Sequence, residues 1–379
     1  MATKTEIMKT LLLIPSIMKT GLEEAVAADH HPIMDYDALA EALRAETDGY
    51  VDVLDYAALA RDRHPLVRLL RKTAGRDAAL ALMGFLRRRQ YDSIFTNGEN
   101  VGIPLAILLK TTRKRPGHVT IGHRLSTGKK RLFFQYLHVH RQIDTIFVYA
   151  SMQREYAQNH LGIPGEKLSL IAFHADQRFY RPISGVSIDP NTICSAGLEW
   201  RDYPTLIAAV ADLPELTVKL AAASPWSKHT DETASRILPP HVSARRYEYS
   251  ALRDLYASSN IVVVPLYEND FQAGVTTMLE AMAMGKPVIV TRTTGQTDVV
   301  TEGENGLTVA PGDVAELRQA ILRLQNDPFL RERLGQNALH WVQENATLTQ
   351  WVSHLVAALQ VSSAGALNTD VPLSDVLQN

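Results

Sequence analysis

Residues Ile261–Asp313 read IVVVPLYENDFQAGVTTMLEAMAMGKPVIVTRTTGQTDVVTEGENGLTVAPGD. Ile261 to Pro265 is a short apolar, β-branched run, as expected of a parallel strand buried on both faces. A polar loop, Tyr267 to Gln272, follows it. Gly274-Val-Thr-Thr then opens a helix carrying Met278, Leu279, Ala281, Met282 and Met284, and Gly285 stops it as a glycine just past a helix end does. Lys286 to Thr291 is the next strand. The stretch is therefore a strand–loop–helix–strand unit with a glycine and two threonines where loop becomes helix. The first turn of a helix leaves N–H groups unpaired and carries partial positive charge, so it suits a phosphate. Glu280 lies one to two turns further in, within reach of a ribose attached to that phosphate. Taken alone, the pattern leaves an ordinary surface unit equally open.

Composition bounds the rest. The chain has 379 residues, 46% hydrophobic and 21% charged, which fits a globular protein of two or three domains. A single cysteine, Cys194, excludes an intrachain disulfide framework and suits a reducing, cytoplasmic location. No Cys/His spacing points to a metal. The N-terminal apolar run is short and ends at Pro15, which argues against a signal peptide or a membrane span and for a first strand at Leu11–Pro15. Net charge is −2, but residues 57–141 hold roughly 18 Lys/Arg against about 4 Asp/Glu. That asymmetry points to an anionic partner, and an anionic membrane surface is the candidate. A solvated basic helix face explains the same residues. No nucleic-acid fold signature accompanies them.

Along the chain, Tyr36–Ala45 is expected to be helical and Val51–Leu54 a strand. A long amphipathic stretch runs from His64 to Gln90, with Leu66, Leu69, Leu70, Leu80, Met83 and Leu86 near helical spacing. Tyr91–Thr96 is a strand, followed by the loop Asn97–Asn100 and a helix Val101–Leu109. Loops at the carboxyl ends of parallel strands line ligand crevices, so Glu99 is a candidate acceptor-site carboxylate, or a solvated turn residue. His118–Gly122 is a strand with His123 and Arg124 at its end. Lys129 to Arg131 stand beside Phe133, Phe134 and Tyr136. Residues 180–190 have linker composition, Thr192–Ala196 opens a second sheet, and Leu348–Leu359 is the last expected helix.

The segment LEAMAMGKPVIVT, with the glycines and PGD that follow it, resembles the donor-binding region of retaining, nucleotide-sugar-dependent glycosyltransferases of family 4. The resemblance covers the C-terminal half well and the N-terminal half weakly. It implies the GT-B architecture: α/β, with two Rossmann-like domains whose parallel sheets face each other across a cleft. The implied division is residues 1–182 for the acceptor domain and 190–345 for the donor domain. A helix at 346–360 would cross back, and 361–379 would be a flexible tail. Glu280 matches the family's ribose-binding glutamate. The glutamate that contacts donor sugar hydroxyls falls on Gln272, and the signature glycine sits one position early at Gly274. His123 matches the cleft histidine that contacts the sugar, so His123, Gln272 and Glu280 form the implied catalytic set. Arg201 stands where the family has a lysine on the donor pyrophosphate, joined by Gly274, Val275, Thr276 and Thr277. The first basic position of that clamp falls on Leu198. Ser224 and Tyr249 are expected near the nucleobase, and Gly21, Glu99 and Arg124 on the acceptor side.

The implied reaction is hexosyl transfer with retention from a nucleoside diphosphate sugar, UDP by family frequency, to a hydroxyl on a lipid, polysaccharide or small molecule. It needs neither metal nor cofactor. A nucleotide-sugar epimerase of the same fold, and a non-catalytic nucleotide-sugar-binding homologue, stay open at this point.

Overall fold

A computed structural model describes residues 8–47, 49–222, 238–296 and 298–365. The chain folds as two compact units. The first takes the residues up to Gly21, Met34–Ile171 and the chain from Val352 on; the second takes Leu22–Ile33 and Ala172–Trp351.

The first unit is built on six parallel strands: β1 (Lys9–Leu13), β2 (Tyr50–Leu54), β3 (Ser93–Thr96), β4 (Gly117–Gly122), β5 (Thr145–Val148) and β6 (Leu168–Leu170), in the order β2-β1-β3-β4-β5-β6. The expected first strand begins and ends slightly earlier than Leu11–Pro15, because Pro15 has no N–H to give a ladder; Ile14 makes the last bond, to Leu54 O. The amphipathic stretch is two helices, Pro65–Thr73 and Arg76–Arg87, broken at Gly75, whose φ of 91° only glycine adopts readily. The helix expected to start at Val101 starts at Glu99. Right-handed crossovers put the helices between β2 and β3, between β3 and β4, and between β4 and β5 on one face of the sheet, because each connection moves in the same direction. Asp35–Thr47, between β1 and β2, lies on the other face.

The second unit has strands β7 (Thr192–Ala196), β8 (Thr217–Ala221), β9 (Val242–Ala244), β10 (Ile261–Val264), β11 (Val288–Thr291) and β12 (Leu307–Val309), again all parallel, in the order β12-β11-β10-β7-β8-β9. Alternation along β10 shows why its sequence is apolar throughout. Val262 and Val264 enter the core on one side of the sheet, with Leu279 and Met282, while Ile261 and Val263 enter the core on the other, with Leu206 and Ile321.

Leu22–Ile33 precedes β2 in the chain yet packs within the second unit. Asp29 pairs with Arg181 and Arg253 at 2.9 Å each, His31 lies 4.3 Å from the Tyr249 ring, and Ile33 N donates to Asp176. The last helix continues past the expected Leu359 to Gly365, so the expected flexible tail does not begin at 361. Within the first unit it lies against β4, where a Cβ on Gly117 would meet the Ser362 backbone at 2.6 Å.

A similar close approach joins two helices of the second unit, Val275–Ala283 and Pro328–Asn345. A Cβ on Gly335 would stand 2.3 Å from Gly285 O, and Gly285 itself has a φ of 68°. Backbone, not a flexible side chain, is what would have to move. Gly335→Ala is therefore expected to destabilise this unit by about 1–3 kcal/mol, the usual cost of overpacking, read as a lowered thermal midpoint.

Candidate functional site

In the second unit the strand order reverses between β7 and β10, and in open α/β sheets ligands bind outside the carboxyl ends of the strands at such a point. Arg201 occupies it, only 7% exposed. Its Nε donates to Ala196 O at 2.7 Å, at the end of β7; Nη1 donates to Glu199 O at 3.0 Å and Nη2 to Thr277 Oγ1 at 3.0 Å. A guanidinium has five N–H groups, so these bonds leave one on each terminal nitrogen. Burial lowers its pKa, while the nearby phenols and carboxylates of Tyr203, Tyr256, Glu199 and Glu280 pull it up.

Two glycines make room for this group. A Cβ on Gly197 would meet Arg201 Nη2 at 2.6 Å, and one on Gly274 would meet Nη1 at 3.0 Å and Val264 Cγ1 at 2.8 Å. Both have positive φ, 93° and 80°. Gly274 is the residue from which the helix Val275–Ala283 starts, and no side chain caps that end. The first N–H groups of this helix thus lie beside a buried cation, an arrangement that favours an anion. Val275 and Thr277 are buried, and Thr276 is exposed.

Thr277 and Glu280, three apart, share the inward side of the helix. Tyr256 Oη donates to Glu280 Oε2 at 3.0 Å. Burial raises the Glu280 carboxyl to about 7, against the opposing pull of Tyr180, Tyr256 and Arg201. Glu280 is thus poised between its acid and carboxylate forms near neutral pH.

The remaining expected donor-side residues differ in setting. Both polar atoms of the Gln272 side chain are buried without a hydrogen-bond partner. Such an amide is costly to leave unpaired. Leu198 is partly buried and packs against the core beneath β7, so it supplies packing where a second phosphate-binding cation was sought. Tyr249 begins the helix Tyr249–Ser258 and packs on His31. Ser224 lies outside the described residues.

In the first unit, the carboxyl ends of β3 and β4 carry the other expected residues. Glu99 is not an open carboxylate: at 6% exposure it accepts from the backbone N–H of His123 at 2.8 Å, from that of Arg124 at 3.3 Å, and from Lys130 Nζ. Burial raises its pKa, but His123 and Lys130 outweigh burial and leave the carboxyl below its ordinary value. Glu99 thus holds the turn that presents His123. The His123 ring is exposed, with Nε2 2.9 Å from Asn97 Oδ1 and its centroid 5.7 Å from that of Tyr149. Gly21 is exposed, with a φ of 76° and nothing within 4 Å of where its Cβ would stand.

Three contributors escaped the sequence. Tyr256 was hidden inside an ordinary amphipathic helix. Gly197 stood in view after β7, but its partner Arg201 could not be read from spacing. Asn97 lay in the loop beside Glu99 and lacked a titratable group to draw notice. Among the described residues, no group of three or more His, Cys, Asp or Glu side chains is placed to hold a metal ion.

Comparison with known proteins places this geometry. Residues 190–327, which include Arg201, Gly274 and Glu280, match the family described as Glycosyl transferases group 1. The chain is similar to the capsular polysaccharide biosynthesis glycosyltransferase CapM of Staphylococcus aureus, 38% identical over 82 residues, which is 22% of this chain and 21% of that one. It is similar over a longer span to the D-inositol 3-phosphate glycosyltransferase of Corynebacterium efficiens, 27% identical over 230 residues, 54% of this chain and 52% of that one. The matched spans thus take in from 21% to about half of these relatives' lengths. Among solved structures, sucrose-phosphate synthase from Thermosynechococcus elongatus superposes with a TM-score of 0.72 at 19% identity, covering 94% of this chain and 100% of that one. Anabaena Alr3699/HepE in complex with UDP superposes with a TM-score of 0.66 at 19% identity, covering 93% and 100%. Residues 190–327 therefore resemble a glycosyl transferases group 1 domain, and the chain has the GT-B fold, with two Rossmann-like units.

Proposed function

We propose that the chain is a retaining glycosyltransferase of the family 4 kind, moving a hexosyl group from a nucleoside diphosphate sugar to an acceptor hydroxyl without a metal. The observation that carries this reading is the buried Arg201 guanidinium beside the uncapped helix start at Gly274, with Glu280 on the same helix. Hydrogen-bond donors fixed before the reaction stabilise growing negative charge without reorganising. Here that charge grows on the leaving diphosphate, which the Gly274–Thr277 amides and the two remaining Arg201 N–H groups would hold. Glu280 would accept from the donor ribose. UDP is the expected nucleotide; UDP in the HepE complex supports that choice by similarity alone.

In this reading the bond from the anomeric carbon to the diphosphate oxygen breaks as the acceptor oxygen bonds the same face of that carbon. The acceptor proton passes to the departing phosphate oxygen. No side chain serves as nucleophile, and the protein's part is to position, to exclude water and to stabilise charge. Leu198 and the sealed Gln272 amide favour one second reading, a homologue that binds nucleotide sugar without turning it over.

Purified protein screened against UDP-, GDP- and ADP-sugars and the free diphosphates should show a raised thermal midpoint with UDP compounds, since a ligand of the folded state stabilises by mass action. Silence across the folded protein would sink the donor reading. A shift by UDP-sugars, with neither transfer nor slow hydrolysis across an acceptor panel, would select the binding-only reading.

Gly274→Ala should weaken UDP by about tenfold or more, because it displaces Arg201 and removes charge-assisted hydrogen bonds worth about 1.5–3 kcal/mol. Isothermal titration against the parent measures this; equal affinity would remove Gly274 and Arg201 from the site.

Glu280 gives a pH test. Its folded pKa of about 7 lies above the ordinary 4.5, so the folded state holds the extra proton between those values. Its contribution to stability is full below about pH 4.5 and is lost as pH rises through 7, a fall of up to about 3 kcal/mol. Glu280→Gln should flatten that part of the stability profile in denaturant titrations. An unchanged slope in the variant would place the titration elsewhere.

A further inference from the structure

The first unit exposes apolar side chains where its own core has no use for them. In the helix Pro65–Thr73, Val67 is 1% exposed and Leu70 is partly buried, and both face the core shared with Leu80 and Met83. Leu66 and Leu69, on the outer side, are 55% and 58% exposed. Arg68 and Lys72 are exposed on that side too. The segment Gly128–Tyr136 repeats the arrangement. Phe134 is 1% exposed, whereas Leu132 is 55% and Tyr136 73% exposed, beside exposed Lys129 and Arg131.

These two segments belong to the same layer. Both lie in crossovers that run in one direction along the sheet, and the helices between them pack side by side, Pro65–Thr73 on Arg76–Arg87, that helix on Glu99–Leu109, and this on the turn that follows Tyr136. Neither segment contains an acidic residue: they read PLVRLLRKT and GKKRLFFQY. The other exposed leucines described in the unit, Leu86, Leu137 and Leu170, are less open, at 39–40%. A solvated basic face would explain the arginines and lysines but not the leucines and tyrosine among them.

We infer that this helical face rests on an anionic lipid surface. The chemistry matches on two counts. Leucine and tyrosine side chains enter the boundary between headgroups and acyl chains, and lysine and arginine meet the phosphates around them. Charge complementarity selects the partner: two acid-free segments, each carrying exposed cations, are drawn to anionic lipid. No described helix is long and apolar enough to cross a membrane; the contact inferred is a peripheral one. The inference does not depend on the donor reading, because it concerns the first unit's outer helices and not the site at Arg201.

Flotation of the full chain with vesicles tests it. The protein should float with vesicles of phosphatidylcholine mixed with phosphatidylglycerol, and not with phosphatidylcholine alone. Raising the salt should release it, since exposed charges are screened. Leu66→Glu/Leu69→Glu should cut partitioning by at least about tenfold. Arg68→Gln/Lys72→Gln should cut it about thirtyfold at low salt. All four positions are at the surface, so the variants should keep the parent thermal midpoint and the parent response to UDP. Failure of the parent to float at low salt overturns the inference, as does floating that the variants leave unchanged. Light scattering provides the competing outcome: a dimer that the leucine variant dissolves would show that a second copy of the chain covers this face, and would equally overturn the lipid assignment.

Discussion

The second unit's crevice depends on one buried cation. Taking a guanidinium out of water is costly unless its N–H groups are satisfied in place. Arg201 meets three fifths of that demand with the last carbonyl of β7, a carbonyl of its own loop and the Thr277 hydroxyl. Those bonds join a strand end, a loop and a helix into one rigid piece. The group is also too large for the space unless its neighbours have no side chain, so Gly197 and Gly274 follow from it. Tyr203 Oη, bonded to Gly197 O, fixes the peptide behind the first of these glycines. Thr277 turns inward because Arg201 is there to receive it, and one turn of the same helix then carries Glu280 to Tyr256.

The first unit solves a comparable problem with the opposite charge. Glu99 is buried at the carboxyl end of β3 and draws in two backbone N–H groups and Lys130. Its effect is to fix the turn after β4, where His123 leaves the sheet. In both units a buried ion, and not a solvated one, sets the shape of the loops at the carboxyl edge of a parallel sheet. Such edges are where open α/β folds place their ligands. A buried ion suits the task because breaking its hydrogen bonds is expensive, so the loop keeps one conformation.

Much of the architecture could be read from residues because parallel strands buried on both faces must be apolar throughout. Ile261–Val264 and Lys286–Thr291 announced themselves in that way, and Gly285 marked the helix end between them. The break at Gly75 was harder, since the apolar spacing continues on either side of it and only the backbone angle shows the turn. The placement of Leu22–Ile33 in the second unit was not legible at all. It rests on Asp29 meeting Arg181 and Arg253, partners more than 150 positions away, and pairings at that range leave no local pattern. The burial of Glu99 was not legible for a related reason. Acidic residues in loops are usually solvated, and only the three-dimensional arrival of Lys130 and the β4 turn makes burial affordable here.

The two charged groups at the second unit's site also act on each other. Arg201 pulls the Glu280 pKa down while burial pushes it up, and the balance settles at about 7. An anion placed at Gly274 would offset part of the Arg201 charge as Glu280 feels it. The carboxyl would then hold its proton more tightly, and a ribose hydroxyl would have to compete with that proton. The Tyr256 hydroxyl works against this outcome, because its hydrogen bond favours the carboxylate. Tyr256 is therefore more than packing beneath the helix: its hydrogen bond favours the carboxylate form of Glu280. The same reasoning gives the uncharged Gln272 a physical consequence. A second carboxylate two residues before Gly274 would add to the charge that opposes an incoming anion, and an amide does not.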